Sequence, residues 1–81
     1  MEEELSGQEL AELRVAVPNR PGVVAELALE LGRAGVNITD LALHPAPDMS
    51  EGVVTLWLPG TGTAEQAERI IERLGHPVFR P

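Results

Sequence analysis

The sequence predicts an α+β fold of the ferredoxin-like type, a βαββαβ sandwich in which two helices cover one face of a four-stranded antiparallel sheet. Two observations predict it. Short apolar segments and helical segments follow one another in the order strand, helix, strand, strand, helix, strand. Both helical segments have one apolar stripe, so both can pack on the same side of one sheet. Right-handed crossovers then give the strand order 4-1-3-2.

Composition limits the chain to one small domain with little surface chemistry. It has 81 residues, no cysteine and a formal net charge of −7, so neither a disulfide framework nor a thiolate metal site is expected. Residues 1–10 are polar and acidic and are predicted to be a tail or linker, and residues 11–81 the domain. An acidic chain with two aromatic residues gives no reason to expect nucleic acid. No apolar run approaches a membrane span and no signal peptide is present, so we expect a cytoplasmic protein that does not bind membranes.

The first half of the domain is predicted as strand, helix and strand. Residues 11–17 alternate and form a half-buried strand that Pro18 ends. A helix follows over residues 21–34, with Gly35 as its left-handed cap. The second strand covers residues 36–44. The predicted core face of the helix consists of Val24, Leu27, Ala28, Leu31 and Ala34.

The second half is predicted as strand, helix and a short last strand. After an exposed loop over residues 45–52, residues 53–58 alternate between two sheet faces. Thr63 with Gln66 three residues later predicts a capping box, and Gly75 ends the helix. Val78 and Phe79 then begin the last strand. The predicted core face of this helix consists of Ala64, Ala67, Ile70, Ile71 and Leu74.

The loop before the first helix is the predicted binding element. Pro21 is tolerated in a first helical turn, and Gly22 allows close approach to the backbone. Free amides and the positive end of the helix dipole favour a carboxylate or phosphate there. Asn19 and Asn37 flank the helix, and a side-chain amide can serve both charged groups of an amino acid. The alternative is that Pro21 and Gly22 serve only as turn signals.

A second, smaller stripe on this helix consists of Ala25, Leu29 and Gly32. It predicts a helix–helix contact with another copy of the chain, in which Gly32 allows close approach. The alternative is that Leu29 is an ordinary exposed leucine.

Catalytic and metal-binding constellations are not evident in the sequence. His44 and Asp40 share a strand face but lie about 13 Å apart, and the remaining histidine, His76, is distant in sequence. The two serines lie in the tail and in the loop, and Asp48 and Glu51 are expected to be solvated. We therefore expect no catalytic residue, no metal and no cofactor.

The run Asn-Arg-Pro-Gly-Val at 19–23, about a dozen helical residues, and Gly-Val-Asn-Ile at 35–38 resembles an ACT domain, and the resemblance covers about residues 11–80. Among ACT domains the chain is most similar to those at the C-terminus of bacterial prephenate dehydrogenases. The resemblance implies a regulatory module of amino-acid metabolism that pairs side by side and binds amino acids between protomers.

The resemblance also implies particular roles for residues. Val17 stands where serine-binding members have histidine, so serine is not favoured, and tyrosine is the expected effector. The implied partners are a second copy, joined through a sheet edge and the first helix, and a covalently or non-covalently associated dehydrogenase domain. Two alternatives are a dimerisation module without ligand binding and a small acylphosphatase-like enzyme. The implied ligand-binding residues are Asn19, Arg20, Pro21, Gly22, Val23, Asn37 and Ile38, and the implied dimer interface is Ala25, Leu29 and Gly32.

Overall fold

A computed structural model describes residues 10–18, 20, 22–45 and 50–81. The predicted order of strands and helices is confirmed. The elements are β1 (Leu10–Pro18), α1 (Val23–Arg33), β2 (Asp40–Pro45), β3 (Glu51–Pro59), α2 (Thr61–Arg73) and β4 (Val78–Phe79).

The four strands form one antiparallel sheet in the order β2-β3-β1-β4, which is the predicted order read from the other edge. Leu13 pairs with Leu56 and Val15 with Val54. Directly paired residues share a sheet face, so the predicted apolar sides of β1 and β3 lie on the same face. Both helices cover that face and bury it, which confirms the ferredoxin-like fold.

The core face of α1 differs from the prediction. Val23, Leu27 and Leu31 are buried and Val24 is half-buried. Ala28 and Ala34, predicted to face the core, are exposed. An alanine has so little apolar surface that the periodic pattern fits either side of the helix almost equally well. The face predicted for α2 is confirmed, with Ala64, Ala67 and Ile71 buried and Ile70 and Leu74 packed against the core.

Both helices end in the same backbone motif. The amide of Val36 donates to the Leu31 carbonyl (2.9 Å), and Gly35 has φ +80°. The amide of His76 donates to the Ile71 carbonyl (3.3 Å), beside a glycine of φ +98°. These are Schellman motifs, which need a left-handed residue just after the helix, so the glycine stops predicted at positions 35 and 75 are confirmed.

The beginnings of the helices were predicted less well. α1 begins at Val23 after Gly22, two residues later than predicted. α2 begins at Thr61 after Gly60 and has no side-chain cap, so the capping box at Thr63 is wrong.

The second strand also starts later than predicted. β2 begins at Asp40. Residues 36–39 complete the end of α1, and the Thr39 amide then donates to the Trp57 carbonyl (2.8 Å). No helix among the described residues is long and apolar enough to cross a bilayer.

Candidate ligand-binding site

The connection between β1 and α1 is a tight turn. The Arg20 amide donates to the Pro18 carbonyl (3.0 Å), and the Val23 amide is directed at the Arg20 carbonyl at 3.5 Å. Gly22 has φ +88°, and no atom of the other described residues lies within 4 Å of the position that a Cβ would take. Among the described residues, none blocks access to the backbone at Gly22. Asn19 and Pro21 lie outside the described residues.

The electrostatics of this turn favour an anion only in part. The positive end of the α1 dipole lies at Val23. Arg20 is exposed and makes no ion pair within the described part of the chain. Glu26, however, sits in the first turn of α1 and already places a negative charge near the helix start. The negative charge of Glu26 therefore offsets part of the attraction that the helix dipole and Arg20 exert on an anion.

The segment that carries Asn37 is held from three sides. Gln66 of α2 donates its side-chain amide to the Ala34 carbonyl (3.2 Å). The Schellman motif fixes Val36, and the bond from Thr39 to Trp57 fixes the other end of the segment. Asn37 itself is exposed. The structure therefore presents an amide side chain to solvent on a rigid turn. Such a turn suits binding because little backbone conformational entropy would be lost when a ligand binds. The role of Gln66 could not be read from the sequence, because its partner Ala34 lies 32 residues away.

One chain does not bring the two predicted halves of the site together. The turn at Arg20 and Gly22 precedes α1, and Asn37 and Ile38 follow it. A helix of 11 residues is about 16 Å long. A single amino-acid head group cannot span that distance. Ile38 is half-buried against the core, and Val23 has a buried side chain, so only backbone atoms of Val23 are available to a ligand.

The surface of α1 away from the sheet carries an apolar flank, defined here as Ala25, Ala28, Leu29 and Gly32. All four residues are exposed, and Leu29 is 54% exposed. Their spacing is i, i+3, i+4 and i+7, which is the spacing of a helix face that packs against another helix. Ala28, expected in the core, thus extends the predicted stripe of Ala25, Leu29 and Gly32.

The sheet has one edge that is suited to pairing. β2 lies at that edge, and Leu43, on the helix side of the strand, is 47% exposed. The other edge, β4, has two residues and is flanked by Pro77 and Pro81, which have no amide hydrogen to donate. Pairing with another sheet is therefore possible at β2 and disfavoured at β4.

The remaining polar residues form no reactive cluster in the ranges that the structure covers. No group of three or more histidine, cysteine, aspartate or glutamate side chains there could hold a metal ion. Asp40 accepts the amide of Leu41 at 2.8 Å. His44 is exposed on the sheet face opposite the helices, beside Val53.

Comparison with known proteins gives the family. The model of the AHAS small subunit-like ACT domain matches residues 13–76. No curated protein sequence matches significantly. Among solved structures, the ACT domain of prephenate dehydrogenase TyrA from Bacillus anthracis has a TM-score of 0.77 at 20% identity, covering 84% of this chain and 99% of that one.

Two further structures have the same fold. The regulatory subunit of aspartate kinase from Thermus flavus has a TM-score of 0.73 at 19% identity, covering 91% of this chain and 54% of that one. An uncharacterised protein from Thermotoga maritima, TM1266, has a TM-score of 0.66 at 15% identity, covering 89% of this chain and 92% of that one. With the family model matching most of the domain, the chain belongs to the AHAS small subunit-like ACT domains, a family of regulatory rather than catalytic modules.

Proposed function

We propose that this ACT domain binds a free amino acid and that two copies complete each binding site. The observation that carries the proposal is the separation of the two halves of the site by the length of α1. Since one chain holds them at opposite ends of a helix, a second copy has to supply the other half. The turn at Arg20 and Gly22 of one copy and Asn37 of the other then enclose the ligand.

The apolar flank supports a specific arrangement of the two copies. If two α1 helices pack antiparallel around a twofold axis between Ala28 and Leu29, Ala25 of one copy opposes Gly32 of the other. The same axis places Gly22 opposite Gly35 and Arg20 opposite Asn37. One twofold axis thus brings together the apolar flanks of the two copies and also the two halves of each site. An isologous interface requires that all contacts share one such axis. Leu43 at the β2 edge extends the apolar surface on the helix side of the sheet.

The ligand's charged groups match the groups offered. Its carboxylate meets Arg20 and the amides up to Val23, and its ammonium meets the side-chain oxygen of Asn37. Asn19 is proposed to hold the same head group. The effector we propose is an aromatic amino acid, tyrosine first, because the similar TyrA structure is the ACT domain of a prephenate dehydrogenase.

Regulation follows from differential affinity. A ligand between two copies stabilises the arrangement that binds it better and shifts the equilibrium only to that extent. A coupling of about 1–3 kcal/mol changes the activity of an associated domain several-fold to about a hundredfold. We propose that this associated domain is a cytoplasmic prephenate dehydrogenase.

Titration of the purified chain with each of the twenty amino acids tests the proposal. We expect saturable binding of tyrosine, with amide shifts at Gly22 and Asn37 in NMR spectra. No binding of any amino acid up to millimolar concentration would contradict it. The second candidate, a dimerisation module without ligand binding, is supported by the exposed apolar flank and predicts a dimer in that same experiment with no ligand response.

A further inference from the structure

A cleft of about 210 Å³ lies on the side of the domain where β1 ends and β4 begins. We call it the β1–β4 cleft. Its lining includes Ala16, Pro18, Glu51, His76 and Pro77. It contains neither α1 nor Asn37, and it adjoins the turn of the site proposed above through Pro18, whose carbonyl accepts the Arg20 amide. At about 30 Å³ per water molecule, it has room for about seven waters or one small organic molecule.

His76 is the residue of the cleft that the fold does not explain. The residue is only 9% exposed, and its imidazole has no hydrogen-bond partner in the described ranges. Its nitrogens are not sealed from solvent, because no fully buried and unpartnered side-chain nitrogen or oxygen occurs there. The imidazole therefore offers an unused donor or acceptor to the cleft that it lines.

Comparison of the two helix ends shows that the fold does not need histidine here. His76 occupies the second position after α2 in its Schellman motif, and Val36 occupies the same position after α1. An apolar residue is usual there, because it packs against the last turn of the helix. Val36 does so and is 6% exposed. Pro77 further restricts the backbone of His76, so the main chain at this residue is fixed before any ligand arrives.

The charge of the cleft selects the ligand. Glu51, at the start of β3, contributes an exposed carboxylate that makes no ion pair within the described part of the chain. The negative end of the α2 dipole lies at the same cleft, just before Gly75. Both favour a cation, and Arg73, in the last turn of α2 but outside the cleft lining, offsets part of that attraction. Alanine and proline form the remaining wall and offer apolar contact to a short hydrocarbon stem.

We propose that the β1–β4 cleft is a second ligand site, which binds a primary ammonium group on a short apolar stem. Glu51 pairs with the ammonium, and an imidazole nitrogen of His76 accepts one of its hydrogens. Ala16, Pro18 and Pro77 contact the stem. Such a group can come from a free small amine or from a lysine side chain of a protein.

The test is an NMR titration of the full 81-residue chain with n-butylammonium chloride. We expect saturable shifts of the His76 ring and of the Ala16 and Gly75 amides, and none with sodium butyrate, which has a similar stem and the opposite charge. Shifts that do not saturate, or equal shifts with butyrate, would overturn the proposal.

Two substitutions assign the contacts. Glu51→Gln is expected to weaken butylammonium binding about tenfold, and Glu72→Gln, an exposed carboxylate of α2 outside the cleft, should leave it within about twofold. His76→Val repeats the residue found after α1, so it should fold and lose binding. Undiminished binding in either Glu51→Gln or His76→Val would refute the assignment.

Two further measurements address the source of the amine and the independence of the cleft from the α1 site. Binding of Nα-acetyl-lysine methylamide at least as tight as butylammonium identifies a protein lysine, and weaker binding identifies a free amine. The Leu29→Glu variant, altered on the apolar flank, is expected to keep the cleft site. Loss of butylammonium binding in that variant would show that the cleft is not independent of the proposed dimer.

Discussion

Replacement of Leu29 by glutamate tests the proposed contact between two α1 helices. A fully buried leucine is worth about 1.5–3 kcal/mol relative to an exposed one. Leu29 is 54% exposed, so covering that exposed part contributes about 0.8–1.6 kcal/mol in each copy. Two copies give about 2–3 kcal/mol, which corresponds to a roughly 30- to 150-fold weaker dimer when the leucine is lost. Two carboxylates close to the twofold axis add repulsion to that loss.

The chain provides a matched control for this substitution. Leu10 is 51% exposed, close to Leu29, but it lies at the start of β1 with its side chain on the other sheet face. We expect Leu29→Glu to raise the dimer dissociation constant at least about 30-fold in sedimentation equilibrium. Leu10→Glu should leave it unchanged. An unchanged constant for Leu29→Glu, or equal weakening by both, would refute the helix contact.

Three further predictions concern the stability of the domain and the turn after α1. Leu27→Ala, at a side chain with no exposed surface, should lower the free energy of unfolding in urea by about 2–5 kcal/mol. Gly35→Ala forces a side chain into φ +80° and should lower the free energy of unfolding by about 1–2 kcal/mol. Each kcal/mol lost should lower the melting temperature by about 4–8 °C. Gln66→Ala removes the bond to Ala34 and should speed hydrogen exchange in residues 35–38 about two- to tenfold.

Each of these predictions has its own control or contradicting result. Gly62→Ala lies in a helical position with open space around the added methyl group, so it should raise the melting temperature where Gly35→Ala lowers it. A loss below about 1 kcal/mol for Leu27→Ala would mean that the core is not packed around that side chain. Unchanged exchange in Gln66→Ala would show that the other two bonds hold the turn without Gln66.

The sequence was sufficient for the fold because its strongest signals are local. Alternation over Leu13, Val15 and Val17 determines which face of β1 is buried. Gly35 and Gly75 mark the helix ends, because a left-handed residue is needed there and glycine adopts that conformation freely. These signals do not depend on which other segment packs nearby, so they survive in a single sequence.

The errors arise where the deciding partner is distant in sequence. Thr63 and Gln66 have the spacing of a capping box, but Gln66 bonds to Ala34 and the helix begins at Thr61. Ala28 fits the core stripe by period alone, and in the structure it is exposed while Val23 is buried. The sequence already places Arg20 and Asn37 at opposite ends of the predicted helix, but it cannot show that Gln66 of α2 holds the segment that carries Asn37.

Exchange of subunits between two defective variants tests the central claim most directly. One variant carries Asn37→Ala and the other Arg20→Ala, so each homodimer has two damaged sites. If every site combines Arg20 of one copy with Asn37 of the other, a mixed dimer regains one intact site. After random exchange, calorimetry with tyrosine should recover about one quarter of the wild-type number of sites, since half of the dimers are mixed. No recovery in the mixture would contradict a site shared between two copies.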